Sequence, residues 1–420
     1  MSSLKTNIGI YFFSNITVAL IPFFLLPILT RYIGPEGYGV IAVFTTFTSM
    51  ISTVIGLNSH NILTIRWYDK DQIEFQKYIM ACFAILIFSD LLMIVIFYGL
   101  KDWLLTQLSI RAFWLYAAII ISTAAFITQI RLSIWQFQEK SINYGSTQFG
   151  QSLINGLLSY ALVVVFLNDY EGRLWGQVVS VVFIGLVSFF SLYKEGLFAL
   201  STKWKYIKNA LLFGVPLVPH LIGGFFLLMA DRMIVNAMLG PRSAGIYMVA
   251  VQIALGFNLL NEAINKAFVP RLYAHLAENG MKQKIIIVKS AYIYFMLLAI
   301  APLFSIFLGK YVIEILAGPK FSEASPVLNW LILMQSFHGM YYLVTNYLFY
   351  TQKSHITAII TMVCGSLNLV LTIYFVDALG LVGAGISSAI GMFLQFILTW
   401  TMAARVYPMP WFSPKIFQIG

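Results

Sequence analysis

Twelve apolar stretches of roughly 20 residues follow one another along this chain and leave it few ways to fold. They run over 8–31, 38–59, 78–100, 112–133, 146–167, 174–192, 211–236, 246–268, 290–309, 325–349, 356–377 and 383–404. As a helix, a stretch of that length crosses the ~30 Å hydrocarbon core of a bilayer. Every backbone polar group inside lipid must be satisfied within the protein, which leaves only helices and closed barrels. The runs here are continuous rather than alternating, and that selects helices. Composition agrees: 60% of residues are hydrophobic and 10% charged, against about 45–50% and about 25% in soluble domains. The first stretch is too long, and lacks the small-residue cleavage site, for a removable signal peptide.

The chain also repeats itself. Gly34-Pro35-Glu36-Gly37-Tyr38-Gly39 returns as Gly240-Pro241-Arg242-Ser243-Ala244-Gly245, and the match continues through Val43 and Val249 at an offset of 206. Gln138-Glu139-Lys140-Ser141 pairs with Thr351-Gln352-Lys353-Ser354, and Asn155 with Asn368, at an offset of 213. Leu174-Trp175-Gly176 pairs with Leu381-Val382-Gly383 at 207. Three echoes in order at nearly one spacing point to two homologous halves, a common build for transporters. Six segments per half is an even number, so the halves enter the membrane alike and are related by an axis along its normal. The expected domains are a six-helix half over 1–193, a cytoplasmic linker over 194–210, a second six-helix half over 211–404 and a cytoplasmic tail over 405–420.

Orientation follows from the basic residues. With the N-terminus inside, eighteen of the 26 Lys and Arg residues fall in cytoplasmic segments, as the positive-inside rule requires. Both termini are then cytoplasmic, and the turns at 34–39 and 240–245 face outward. The net charge of +10 is spread over many short loops rather than gathered on one face, which argues against nucleic acid. Cys82 and Cys364 lie inside apolar segments, too isolated for a disulfide framework or metal site. No Walker loop, dinucleotide fingerprint or His-x-x-x-His pair is present, so neither an ATP motor nor a metalloenzyme is expected, and no cofactor.

Several short motifs carry a family resemblance. The run Leu29-Thr30-Arg31-Tyr32-Ile33-Gly34-Pro35-Glu36-Gly37-Tyr38-Gly39 after the first helix is one. Ala230-Asp231-Arg232-Met233-Ile234-Val235, followed by Leu239-Gly240-Pro241 and Ala244-Gly245-Ile246-Tyr247, is a second. Ala317-Gly318-Pro319-Lys320-Phe321 and Gly380-Leu381-Val382-Gly383-Ala384-Gly385 complete the set. With the segment count and length, the chain resembles the Wzx-type O-antigen and capsular polysaccharide flippases. These belong to the multidrug/oligosaccharidyl-lipid/polysaccharide (MOP) exporter superfamily. The resemblance implies a MATE-like arrangement of the two halves and a place in the bacterial cytoplasmic (inner) membrane. It implies alternating-access transfer of an isoprenoid (undecaprenyl) pyrophosphate-linked oligosaccharide from the inner to the outer leaflet, for O-antigen, lipopolysaccharide, capsule or exopolysaccharide assembly. Membrane lipid and polysaccharide polymerase or chain-length machinery are the partners it implies.

That task needs cations for the pyrophosphate and a polar cavity, which directs attention to polar groups inside the apolar segments. Asn258, Asn261, Glu262, Asn265 and Lys266 recur at three- and four-residue spacing on helix eight and share one face. The face lines a cavity, or else it is the solvated end of a helix leaving the bilayer. Lys266 and Arg271 are candidates for a cytoplasm-side anion contact, and Arg66, with Asn58-Ser59-His60-Asn61, is its counterpart at the end of helix two. Helix seven offers His220, Asp231 and Arg232, with Pro216 and Pro219 to kink it. Arg232 is a pyrophosphate candidate, and Asp231 its partner or a cation-coupling carboxylate; an interfacial ion pair is the plainer reading. His220 is a packed core histidine or a cavity residue. Asn7, Tyr11, Ser14 and Asn15 share a face of helix one. Thr45, Ser49, Ser52, Gly56 and Ser59 form a stripe on helix two suited to close helix contact. Asp90, alone within helix three, needs a proton, a partner or a cation.

Two other functions compete. A multidrug or cation antiporter of the same superfamily wants an aromatic, acidic pocket, whereas the basic candidates here favour an anion. A polysaccharide polymerase needs a large outer loop for catalytic residues, and the longest one, 309–324, is too small.

Overall fold

The computed structural model describes residues 17–18, 20–69, 74–278 and 280–412. The expected polar face at Asn7, Tyr11, Ser14 and Asn15 lies outside them. Among the described residues every regular element is helical, and ten helices are long and apolar enough to cross a membrane.

The chain divides into two compact units, one of residues 1–222 with 240–245 and the other of 223–239 with 246–420. In the first, α1 (Leu20–Tyr32) leads into α2 (Pro35–Val54). Pro35 opens α2, where the missing N–H costs nothing, and Glu36 favours the positive end of the helix dipole. The expected helix over 38–59 ends early. Gly56, Leu57 and Asn58 take positive φ within a 3₁₀ turn (Ile55–Asn61) before the short α3 (Ile62–Arg66). Crowding explains the glycine: a β-carbon on Gly56 would sit 2.1 Å from the Phe126 ring. Ser52 hydrogen-bonds Ser122 at 2.8 Å nearby, so this stripe is a close helix contact, as its small residues suggest. Next come α4 (Phe75–Gly99), the short α5 (Lys101–Leu108) and α6 (Ala112–Phe137). Then α7 (Ser141–Tyr160) ends in a π turn (Ala161–Val165), and α8 (Asp169–Lys194) packs on both α6 and α7. The expected span 211–236 is built in pieces, α9 (Trp204–Gly214), a 3₁₀ turn (Val215–Leu217) and α10 (Val218–Leu228), with Pro216 and Pro219 at the joints.

A single helical element, α11 (Ala230–Glu278), bends sharply at Gly240, whose φ of 81° and ψ of 172° only glycine adopts without strain. The turn 240–245 that follows packs in the first unit against the start of α2, its partner in the sequence repeat.

In the second unit, α12 (Met281–Leu316) contains Pro302 and runs for 36 residues, about 54 Å and well beyond a bilayer core. It is followed by α13 (Ser325–Tyr350), α14 (Ser354–Leu379) and α15 (Leu381–Val406). Although α13 is not one of those ten helices, it lies at the expected tenth segment. It packs against α12, α14 and α15, and Gln335, His338, Thr345 and Asn346 on it are buried. Protein rather than lipid surrounds these polar groups, which is what makes them tolerable.

Candidate functional site

The second unit holds a cavity of about 220 Å³ lined from α10, α11 and α13. Arg232 and Asp231 stand at the first turn of α11, just past the break at Met229. Their side chains are 8% and 4% exposed and lie 3.0 Å apart. Asp231 Oδ1 accepts from the Arg232 backbone N–H at 2.9 Å and from Arg232 Nη1 at 3.0 Å. Its Oδ2 accepts from the Tyr247 hydroxyl at 2.6 Å and from Ser388 at 3.3 Å. The carboxylate is thus tied from both sides. Arg232 gives Nη1 also to the Leu228 carbonyl at 2.6 Å, and its side chain lines the cavity. A guanidinium has five donors, so groups remain for a ligand.

Along α11 the expected polar stripe divides. Asn258 and Glu262 line the cavity and hydrogen-bond each other at 3.3 Å. Asn261 turns away, giving its amide to the Gln335 carbonyl at 2.9 Å and accepting from the Tyr294 hydroxyl at 3.0 Å. Asn265 accepts from Asn346 at 2.8 Å. These two asparagines fix α11 against its neighbours. Lys266 reaches Glu262 at 3.4 Å from an exposed position, and Arg271 is also exposed.

The other candidates belong to the first unit. Arg66 pairs with Asp69 at 3.2 Å, donates to Asn209 at 3.4 Å and lies over the Tyr78 ring. Half-buried Asp90 accepts from the Thr123 hydroxyl at 3.0 Å. His220 is half-buried on α10.

The sequence reading passed over α13. Gln335, His338 and Tyr342 line the same cavity, and the His338 and Tyr342 rings lie 4.4 Å apart. Their three- and four-residue spacing within an apolar segment is the signal that marked Asn258 and Glu262 on α11. Arg131, inside the expected stretch 112–133, carries no such signal. Arg131 is 1% exposed and forks onto Glu195 at 2.8 and 2.6 Å, and its guanidinium covers the Trp135 ring.

A family profile described as polysaccharide biosynthesis protein matches residues 4–274. A protein of the Lsg locus of Haemophilus influenzae (strain KW20 / Rd) is 26% identical over 354 residues, covering 82% of this chain and 84% of its own. Among solved structures, the lipid II flippase MurJ in an inward closed conformation superposes with a TM-score of 0.72 at 14% identity, over 95% of this chain and 87% of that one. An inward-facing multidrug resistance MATE family transporter of the MOP superfamily gives 0.68 at 13% identity, over 94% of each. At these identities the two structures establish a shared fold.

Proposed function

The chain belongs to the polysaccharide biosynthesis protein family, and from that premise we propose that it moves an isoprenoid pyrophosphate-linked oligosaccharide from the inner to the outer leaflet of the bacterial cytoplasmic membrane. The observation that supports this reading is Arg232, a permanent cation buried among membrane-spanning helices yet lining a cavity. Placing such a charge within a membrane costs at least ~2.5–3.5 kcal/mol on insertion scales, and it marks a functional site by default. Its planar fork suits a phosphate oxygen pair. Glycan carried by that headgroup would cross by alternating access, with both termini in the cytoplasm and twelve spans in two related halves. Asp231 and Asp90 are the proposed coupling carboxylates.

A second reading has its own support. The same cavity carries two carboxylates, Asp231 and Glu262, beside the His338 and Tyr342 rings, which is the lining a cationic drug antiporter wants. Vesicles separate the two. Inner-membrane vesicles from cells with and without the protein would be treated with a membrane-impermeant sugar label. Glycolipid confined to the cytoplasmic leaflet without the protein, and returned outward on its restoration, supports the flippase. An unchanged leaflet distribution, together with drug-driven ion exchange, supports the antiporter.

A further inference from the structure

We infer that the first unit contains a separate subsite for the uncharged, polyhydroxylated part of the ligand, the saccharide. This inference rests on the flippase reading above. A cavity of about 350 Å³ lies between α1, α6 and α7, within the usual range for small-molecule sites. Its polar lining is Thr128 and Gln129 from α6, with Gln148, Gln151, Ser152 and Asn155 from α7. Among the described residues no carboxylate or basic side chain lines it, whereas the second unit's cavity presents Asp231, Arg232 and Glu262. Spacings of three and four residues put the α7 groups on one face.

The amides are prepared for a ligand. Arg173 donates to both Asn155 Oδ1 and the Ser159 hydroxyl, and Ser159 also donates to Asn155 Oδ1 at 3.3 Å. With its oxygen held by two donors, Asn155 presents its NH₂ as the remaining group. Among the described residues no hydrogen bond engages the side-chain amides of Gln129 or Gln151. Each offers a donor pair and an acceptor, the complement of vicinal sugar hydroxyls. A charged headgroup gains little here; a neutral sugar or its acetamido substituent finds partners throughout.

Binding by the full-length protein in lipid nanodiscs tests this with two probes, polyisoprenyl pyrophosphate and the same lipid bearing one N-acetylhexosamine. Wild type should bind the glycosylated probe about tenfold more tightly, the worth of one or two neutral hydrogen bonds. Gln129→Leu and Gln151→Leu should erase that preference while leaving the bare pyrophosphate unaffected. Among the described residues these two amides hold nothing else, so folding should survive, and a monodisperse size-exclusion profile verifies it. Free N-acetylhexosamine is a third probe. Competition by it supports a subsite that also takes soluble sugar, and competition by the lipid-borne sugar alone supports a subsite reached only from the bilayer. Equal binding of both lipids, or a preference that survives both substitutions, overturns the subsite and leaves the flippase reading standing. Binding of neither lipid overturns both.

Discussion

Gly39 and Gly245 each face the carbonyl that opens the other's helical segment. A β-carbon on Gly39 would stand 1.8 Å from the Pro241 oxygen, and one on Gly245 would stand 1.8 Å from the Pro35 oxygen. Glu36 and Arg242 extend the contact as an exposed ion pair at 3.5 Å. The numbers 35 and 241, 36 and 242, 39 and 245 all differ by 206. The sequence repeat therefore meets itself in space, backbone against backbone. Such an approach is available only where both partners lack side chains.

This contact should be sensitive to one methyl group. Gly39→Ala or Gly245→Ala would force the segments apart, at about 1–3 kcal/mol for overpacking. In a Glu36→Cys/Arg242→Cys background a short bismaleimide should link the two positions efficiently. Cys82 and Cys364 are buried and contribute little labelling. Adding Gly39→Ala should cut the yield several-fold and slow the glycolipid transfer proposed above. Unchanged yield and transfer would show that the contact is incidental to the cycle.

The buried Asp231–Arg232 pair makes a second prediction. Asp231→Asn leaves a guanidinium without its counter-charge, and breaking a buried pair from one side costs about 3–5 kcal/mol. Asp231→Asn/Arg232→Gln removes both charges and should recover most of that loss. Thermal melts in detergent report the difference. Transport should stay lost in the double variant if Arg232 contacts the pyrophosphate, so stability recovers where activity does not. A double variant as unstable as the single one would mean that the pair's partners, Tyr247 and Ser388, carry the cost instead.

Glu195, just beyond the end of α8, supplies a pH test. The Arg131 fork holds its carboxyl down at about 2, helped by Lys140 and Gln138 and opposed by desolvation. A depressed folded-state pKa stabilises above the unfolded value, about 4.3. That contribution is lost as pH falls through the folded value. Glu195→Gln should therefore lower the melting temperature by a constant amount above about pH 5. The gap should close progressively between about pH 4.3 and about pH 2. A gap that persists below pH 2 would assign the effect to lost hydrogen-bond geometry rather than charge.

Much of this architecture is legible in the sequence, because lipid imposes long apolar runs and duplication leaves a countable offset. The polar stripe on α11 was visible for the same reason, since three- and four-residue spacing fixes a face. Spacing does not fix what that face meets. Asn258 and Glu262 reach a cavity, whereas Asn261 and Asn265, on the same stripe, are consumed by Gln335, Tyr294 and Asn346. Arg131 gives no local signal because its partner Glu195 is 64 residues away. The amides of α7 carry no charge and so raised no signal of buried cost. His338 was hidden in α13, where neighbouring helices replace lipid and lift the penalty that makes polar residues conspicuous.

Glu262 and Lys266 decide between the two transport readings by sign. Both are partly exposed and four residues apart on α11, so either substitution should change stability by less than about 1 kcal/mol. A change in binding then reports charge at the cavity rather than folding. For an anionic ligand, Glu262→Gln removes repulsion and should tighten polyisoprenyl pyrophosphate binding, while Lys266→Ala should weaken it. Each shift should be about two- to fivefold, the scale of a solvent-screened charge. It should shrink as salt rises past physiological strength. A cationic substrate demands the opposite: Glu262→Gln would weaken drug binding, and pyrophosphate binding would ignore both substitutions. Measuring both ligands against both variants at two salt concentrations separates the cases, because no uniform loss of folded protein reproduces shifts of opposite sign.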